Sequence, residues 1–121
     1  MEITLDVLKK IIFSDFDVKK MDVFFDEKKI FILMEGGILD NRVLKDIEII
    51  FFNFEKVELK LFDNENQKWV NLTKISLDKL KDICEFLYDN NNIILRGFGE
   101  NTGKWIEYKI YNPEIKSKLI E

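Results

Sequence analysis

The sequence predicts a mainly β chain (α+β at most): an antiparallel β-sandwich, or a strongly curved antiparallel sheet, of about seven or eight strands with a short N-terminal helix. Three observations carry this. Val57, Leu59 and Leu61 alternate with Lys56, Glu58 and Lys60, the period of a strand with one wet face. One hairpin is written twice: Val23-Phe24-Phe25-Asp26, a turn and Ile30-Phe31-Ile32-Leu33 resemble Phe86-Leu87-Tyr88-Asp89, a run of asparagines and Ile93-Ile94-Leu95-Arg96. Finally, 46% of the 121 residues are apolar and eleven are phenylalanine, enough to fill the core of a single domain spanning 1–121.

The elements follow in order. Leu5, Leu8 and Ile12 recur at helical spacing behind Thr4, a good N-cap, with Asp6 in the first turn. Residues 13–17 read as an irregular connection. The period then changes to two: Met21, Val23 and Phe25 mark a strand, Asp26 to Lys29 a turn, and Ile30 to Glu35 the returning strand, which Gly36-Gly37 is expected to end. A long strand follows over Val43 to Phe52, then Val57 to Leu61, a polar turn at 63–66 and a short strand at Lys68 to Leu72. Residues 76–88 fit either a helical face or a strand. The hairpin repeat favours a strand from Ile83 to Tyr88, with at most a short helical turn between Leu77 and Lys81.

Loops at Asp89 to Asn92 and Glu100 to Gly103 set a register for the last three strands. Tyr88, Ile93 and Ile110 form one row, and Phe86, Leu95 and Tyr108 the next, on the core face. The opposite face carries Glu85, Arg96 and Glu107, a guanidinium between two carboxylates, and then Ile83, Phe98 and Trp105. Gly97 and Gly99 fall on the core side, where glycine signals a kink or a bulky neighbour crossing the backbone. Apolar residues beside a charged row must be covered by the chain or by something else, so Ile83, Arg96, Phe98, Trp105 and Glu107 are the candidate residues for binding a partner or ligand.

The composition excludes several chemistries. Histidine is absent, which removes the commonest general base, metal ligand and triad organiser. The single cysteine, Cys84, cannot form an internal disulfide or a multi-cysteine zinc site, and its apolar neighbours predict an inert thiol. Glu85 and Glu107 flank Arg96, which holds both ionised, the wrong state for a general acid. The turn 63–66 lacks the glycine and terminal glutamate of a calcium loop, and the glycines of 97–103 stand between strands, not before a helix as a phosphate cradle requires. The sequence therefore predicts a chain that is not an enzyme and needs neither metal nor cofactor.

A net charge of −4 and a pI near 5.0 argue against nucleic acid and suit a basic protein partner or self-association. The start lacks a basic region before an apolar run, and no stretch is long and apolar enough for a membrane helix, which predicts a cytoplasmic protein without membrane contact. Alanine is absent and Lys far outnumbers Arg, as in an AT-rich genome, and a bacterial origin is expected.

Phe13-Ser14-Asp15, Val18 and Asp26 behind the short helix, together with Leu95-Arg96-Gly97-Phe98-Gly99 and Gly103-Lys104-Trp105-Ile106-Glu107-Tyr108, resemble a loose group of small bacterial β-rich proteins of unknown function. Some of these are thought to be immunity proteins of polymorphic toxin systems. Ser14 stands where the group has histidine. The resemblance implies a β-rich fold and protein binding, and brings no catalytic residues. The function expected is a non-enzymatic protein-interaction domain, immunity-like in its sharpest form; the alternative is a small-ligand module with Phe98, Trp105 and Trp69 as an aromatic platform and Arg96 for an anionic group.

Overall fold

A computed structural model describes residues 1–73 and 76–120. Its elements are β1 (Glu2–Ile3), α1 (Leu5–Leu8), β2 (Val18–Phe24), β3 (Lys29–Leu39), β4 (Arg42–Phe52), β5 (Lys56–Asp63), β6 (Lys68–Leu72), β7 (Glu85–Asp89), β8 (Asn92–Phe98), β9 (Trp105–Tyr111) and β10 (Glu114–Leu119). The strands form two antiparallel five-stranded sheets, ordered β1-β10-β4-β3-β2 and β6-β5-β9-β8-β7. Alternate residues of each, such as Ile30, Ile32, Ile47, Ile49 and Phe51 on one side and Leu59, Ile93, Leu95, Ile106 and Tyr108 on the other, meet in one core. The fold is the expected mainly-β sandwich, with more strands than the sequence announced.

The two extra strands are β1 and β10. In β10, Ile115, Ser117 and Leu119 pair opposite Phe51, Ile49 and Ile47 of β4. The alternation was hidden because its central inward residue is a serine: Ser117 is buried, and its hydroxyl donates to the Ile3 carbonyl at 3.1 Å, which satisfies it and ties β1 to the edge.

The helix is shorter than its apolar spacing suggested. Thr4 caps it, accepting from the Val7 amide at 3.4 Å, but it stops after one turn. Ile12 leaves to make a two-way backbone pair with Ile38, donating to and accepting from it at 2.9 Å.

Gly36 and Gly37 do not end their strand; β3 runs through them. They are glycines because the segment 11–16 lies on top. A Cβ on Gly36 would stand 3.0 Å from the Phe16 ring, besides 2.4 Å from the Leu44 carbonyl oxygen of the neighbouring β4, and one on Gly37 would stand 2.5 Å from the Ile11 side chain. The second half of the chain repeats the device. A Cβ on Gly97 would stand 2.1 Å from the Asp82 carbonyl oxygen, and one on Gly99 would meet the Asp78 carboxylate. The expectation of a neighbour crossing close to those two glycines is met, and the neighbour is the segment 78–82. That segment is irregular and lacks the helical turn allowed for 77–81: Leu80 bridges Gly99, and Asp82 bridges Asp17 at the mouth of β2.

The strand order itself is duplicated. Replacing β1 to β5 by β6 to β10 and the reverse turns one sheet's order into the other's. Each half supplies an edge strand, a crossing segment, a three-stranded meander and a last strand donated to the opposite sheet. The hairpins that resemble each other in sequence, β2-β3 and β7-β8, occupy equivalent places. Asn53 and Asn112, both with φ near +50°, make the equivalent turns into β5 and β10.

The crossings predict a test. Gly97→Ala should lower the free energy of unfolding by more than about 3 kcal/mol, because backbone lies where the methyl group would go. Gly103→Ala, at φ +69° with open space around it, should cost only about 1 kcal/mol. Urea unfolding of both variants reads the difference.

Candidate functional site

The register expected for the last three strands is the one observed. Glu85 pairs with Arg96, Phe86 with Leu95 and Tyr88 with Ile93; Arg96 pairs with Glu107, Leu95 with Tyr108 and Phe98 with Trp105. Beyond Glu85 the ladder departs from expectation. The Cys84 amide donates to the Arg96 carbonyl at 2.8 Å, the Phe98 amide donates to the Asp82 carboxylate at 2.9 Å, and the chain turns inward. Ile83 is thus fully buried in the core and leaves the exposed row. Its assignment as a binding residue is corrected: the close passage of Asp82 over Gly97 pulls it to the other side.

Phe98 and Trp105 remain outside, in edge-to-face contact with ring centroids 5.1 Å apart. Phe98 is 42% exposed and Trp105 partly so. The pairing of β5 with β9 extends their row. Leu61 pairs with Ile106, so the next outward residue, Phe62, falls beside Trp105. Phe62 in turn pairs with Trp69 of β6, again edge to face at 5.4 Å, and Trp69 is 39% exposed. Phe98, Trp105, Phe62 and Trp69 therefore form one row across four strands, spanning about 14 Å at ordinary strand spacing. Trp69 was named from the sequence; Phe62 was missed. Its outward position was legible from the alternation of β5, but nothing local says that β5 lies against β9.

The next row is polar: Glu85, Arg96, Glu107, Lys60 and Asn71 pair strand to strand across the whole sheet. Arg96 donates through Nε to Glu107 at 2.8 Å and through Nη1 to Glu85 at 3.0 Å. Burial works against the charge on Arg96, but these hydrogen bonds outweigh it and keep the guanidinium protonated. Glu107 is buried, and its partners make that tolerable. Arg96, already between two carboxylates, is poorly placed to take an anionic ligand.

One end of the aromatic row rests on Asp78. This buried carboxylate accepts from the Asn101 amide at 2.9 Å, the Thr102 amide at 3.0 Å and the Thr102 hydroxyl at 2.6 Å, fixing the loop that joins Phe98 to Trp105. Its backbone carbonyl accepts from the buried Tyr108 hydroxyl at 2.6 Å. Burial pushes the Asp78 carboxyl up, and the hydrogen bonds from Thr102 and Asn101 together hold it below its ordinary value. Nothing local in the sequence marks Asp78, since the donors to its carboxylate lie over twenty residues away. Cys84 is half-buried, and burial, followed by the Asp82 charge, raises its thiol above the usual value, so it makes a poor nucleophile.

Comparisons with protein-family models, with curated proteins and with solved structures find no match. No helix among the described residues is long and apolar enough to cross a membrane.

A carboxyl held below its unfolded value contributes stability above about pH 4 and loses that contribution as the pH falls through the folded value. Asp78→Asn should therefore unfold more easily at pH 7, by about 2 to 3 kcal/mol, and lose less than the wild type between pH 5 and pH 3. Chemical denaturation at the two ends of that range measures both effects.

Proposed function

We propose that this chain is a non-enzymatic protein-interaction domain that docks another protein on the outer face of the sheet β6-β5-β9-β8-β7. The observation that carries this is the row Phe98, Trp105, Phe62 and Trp69, four aromatic side chains left on a sheet face beside a self-neutralised row of charges. Aromatic residues at the centre of a patch, with arginine close by and polar groups around, are the composition of an interface core. The face is broad, about 19 Å from edge strand to edge strand across five strands, which suits a protein better than a small molecule.

The anion arm of the ligand reading is weakened because Glu85 and Glu107 occupy Arg96. The two ring pairs also stand edge to face, so they present no continuous flat platform for a planar ligand. Within the docking reading, the narrower role is immunity-like: an acidic chain, net charge −4, whose aromatic row seats on a basic toxin domain while charge complementarity speeds the encounter. The setting of that role is bacterial and cytoplasmic.

The test is binding to the purified product of a neighbouring toxin gene, measured by calorimetry with wild type, Phe98→Ala/Trp105→Ala and Val43→Ala. Val43 is 64% exposed on the opposite sheet and serves as a control. Loss of roughly 100-fold or more in affinity is expected for the double variant, the cost of two interface anchors, and no change for Val43→Ala. Equal binding by all three would remove the face from the interaction, and no binding by wild type would remove the immunity reading.

A further inference from the structure

The sandwich has four sheet edges, and three are blocked. β1 is only two residues long. β2 is bulged between Val18 and Lys20, and the amide at its start already donates to the Lys81 carbonyl at 2.8 Å. β7 carries Glu85 and Asp89 near its ends, so an antiparallel copy centred on Leu87 would set like charges opposite one another. These are the usual ways in which an edge is kept from pairing.

β6 has none of them. It pairs in unbroken register with β5 on one side and, among the described residues, with no strand on the other. It contains no proline and no bulge, and its one charge is Lys68 at its end. Apolar side chains are exposed on both of its faces: Trp69 outward and Val70 inward, each 39%. An inward residue of a sandwich strand is normally covered by the facing sheet. Val70 instead stays 39% exposed, so the facing sheet leaves the inward side of β6 open.

We propose that β6 is a self-association strand, pairing antiparallel with β6 of a second copy about a two-fold axis at Val70. The pattern of β6 is self-complementary. Val70 meets its own copy, Trp69 lies opposite Asn71 and Lys68 opposite Leu72, so no like charges face each other and the inward valines bury one another. The two five-stranded sheets become one continuous sheet with both aromatic rows on the same side. This proposal stands apart from the docking proposal, since edge pairing leaves the outer face open.

Sedimentation velocity over a concentration series tests it, with Val70→Lys and a Cys84→Ser/Val70→Cys variant. A wild-type dimer is expected, weakened roughly tenfold or more in Val70→Lys, and the two should melt alike at dilutions where both are monomeric, because the side chain is partly exposed. Oxidised Cys84→Ser/Val70→Cys should trap a disulfide-linked dimer, since the axis brings residue 70 against itself. Phe98→Ala/Trp105→Ala should dimerise like wild type. A wild type that stays monomeric at high concentration overturns the proposal. So does a dimer that survives Val70→Lys, resists trapping at residue 70 or dissolves in Phe98→Ala/Trp105→Ala, which would place the contact elsewhere.

Discussion

The fold depends on two close crossings, in each of which an irregular segment passes over a strand at a glycine pair. Residues 11–16 lie on Gly36 and Gly37, and residues 78–82 lie on Gly97 and Gly99. Interiors are close-packed, and the side chains of 11–16, the Asp78 carboxylate and the Asp82 carbonyl come this close to a strand only where no Cβ intervenes. Each crossing carries the chain from an edge strand on one side of the sandwich to the far end of a sheet, where a meander can start. Without them the duplicated halves could not each donate a last strand to the opposite sheet.

The second crossing also builds the exposed face. As 78–82 passes over the glycines, Asp78 binds the loop after β8, Asp82 takes the Phe98 amide and Ile83 is drawn into the core. The same geometry therefore removes one apolar residue from the surface and holds Phe98 and Trp105 on it. Burying a carboxylate at Asp78 is costly, and three donors offset that cost. A core anchor and a surface row are two ends of one hydrogen-bonded unit.

The duplication has not preserved the surface. Where Glu107 and Lys60 lie side by side on one sheet, Glu48 and Lys118 hold the equivalent place on the other, with an ion pair at 3.4 Å. Position for position, however, Trp105 corresponds to Asp46, which is half-exposed and bonded to Lys19 at 2.8 Å. The aromatic row thus belongs to one sheet only. Packing constrains the inward residues of both halves, while the outward ones are free to diverge.

By itself the sequence determined the β class, the repeated hairpin, the parity of every strand with a clean alternation and the register of the β7-β8-β9 meander. All of these rest on contacts between near neighbours in the chain, where a period of two and a short turn leave little choice. It also marked Gly97 and Gly99 as sites of either a kink or a close approach, and the structure shows the close approach. Only the tertiary structure decided the partners of β5 and β10, the continuity of β3 through Gly36-Gly37, the burial of Ile83 and the roles of Asp78 and Phe62. Each of those is settled by a residue far away in sequence: β9 beside β5, residues 11–16 over Gly36, Asp82 over Gly97, Thr102 on Asp78. Long-range contacts of that kind satisfy packing and hydrogen bonding together, and no local pattern encodes which distant group will do so.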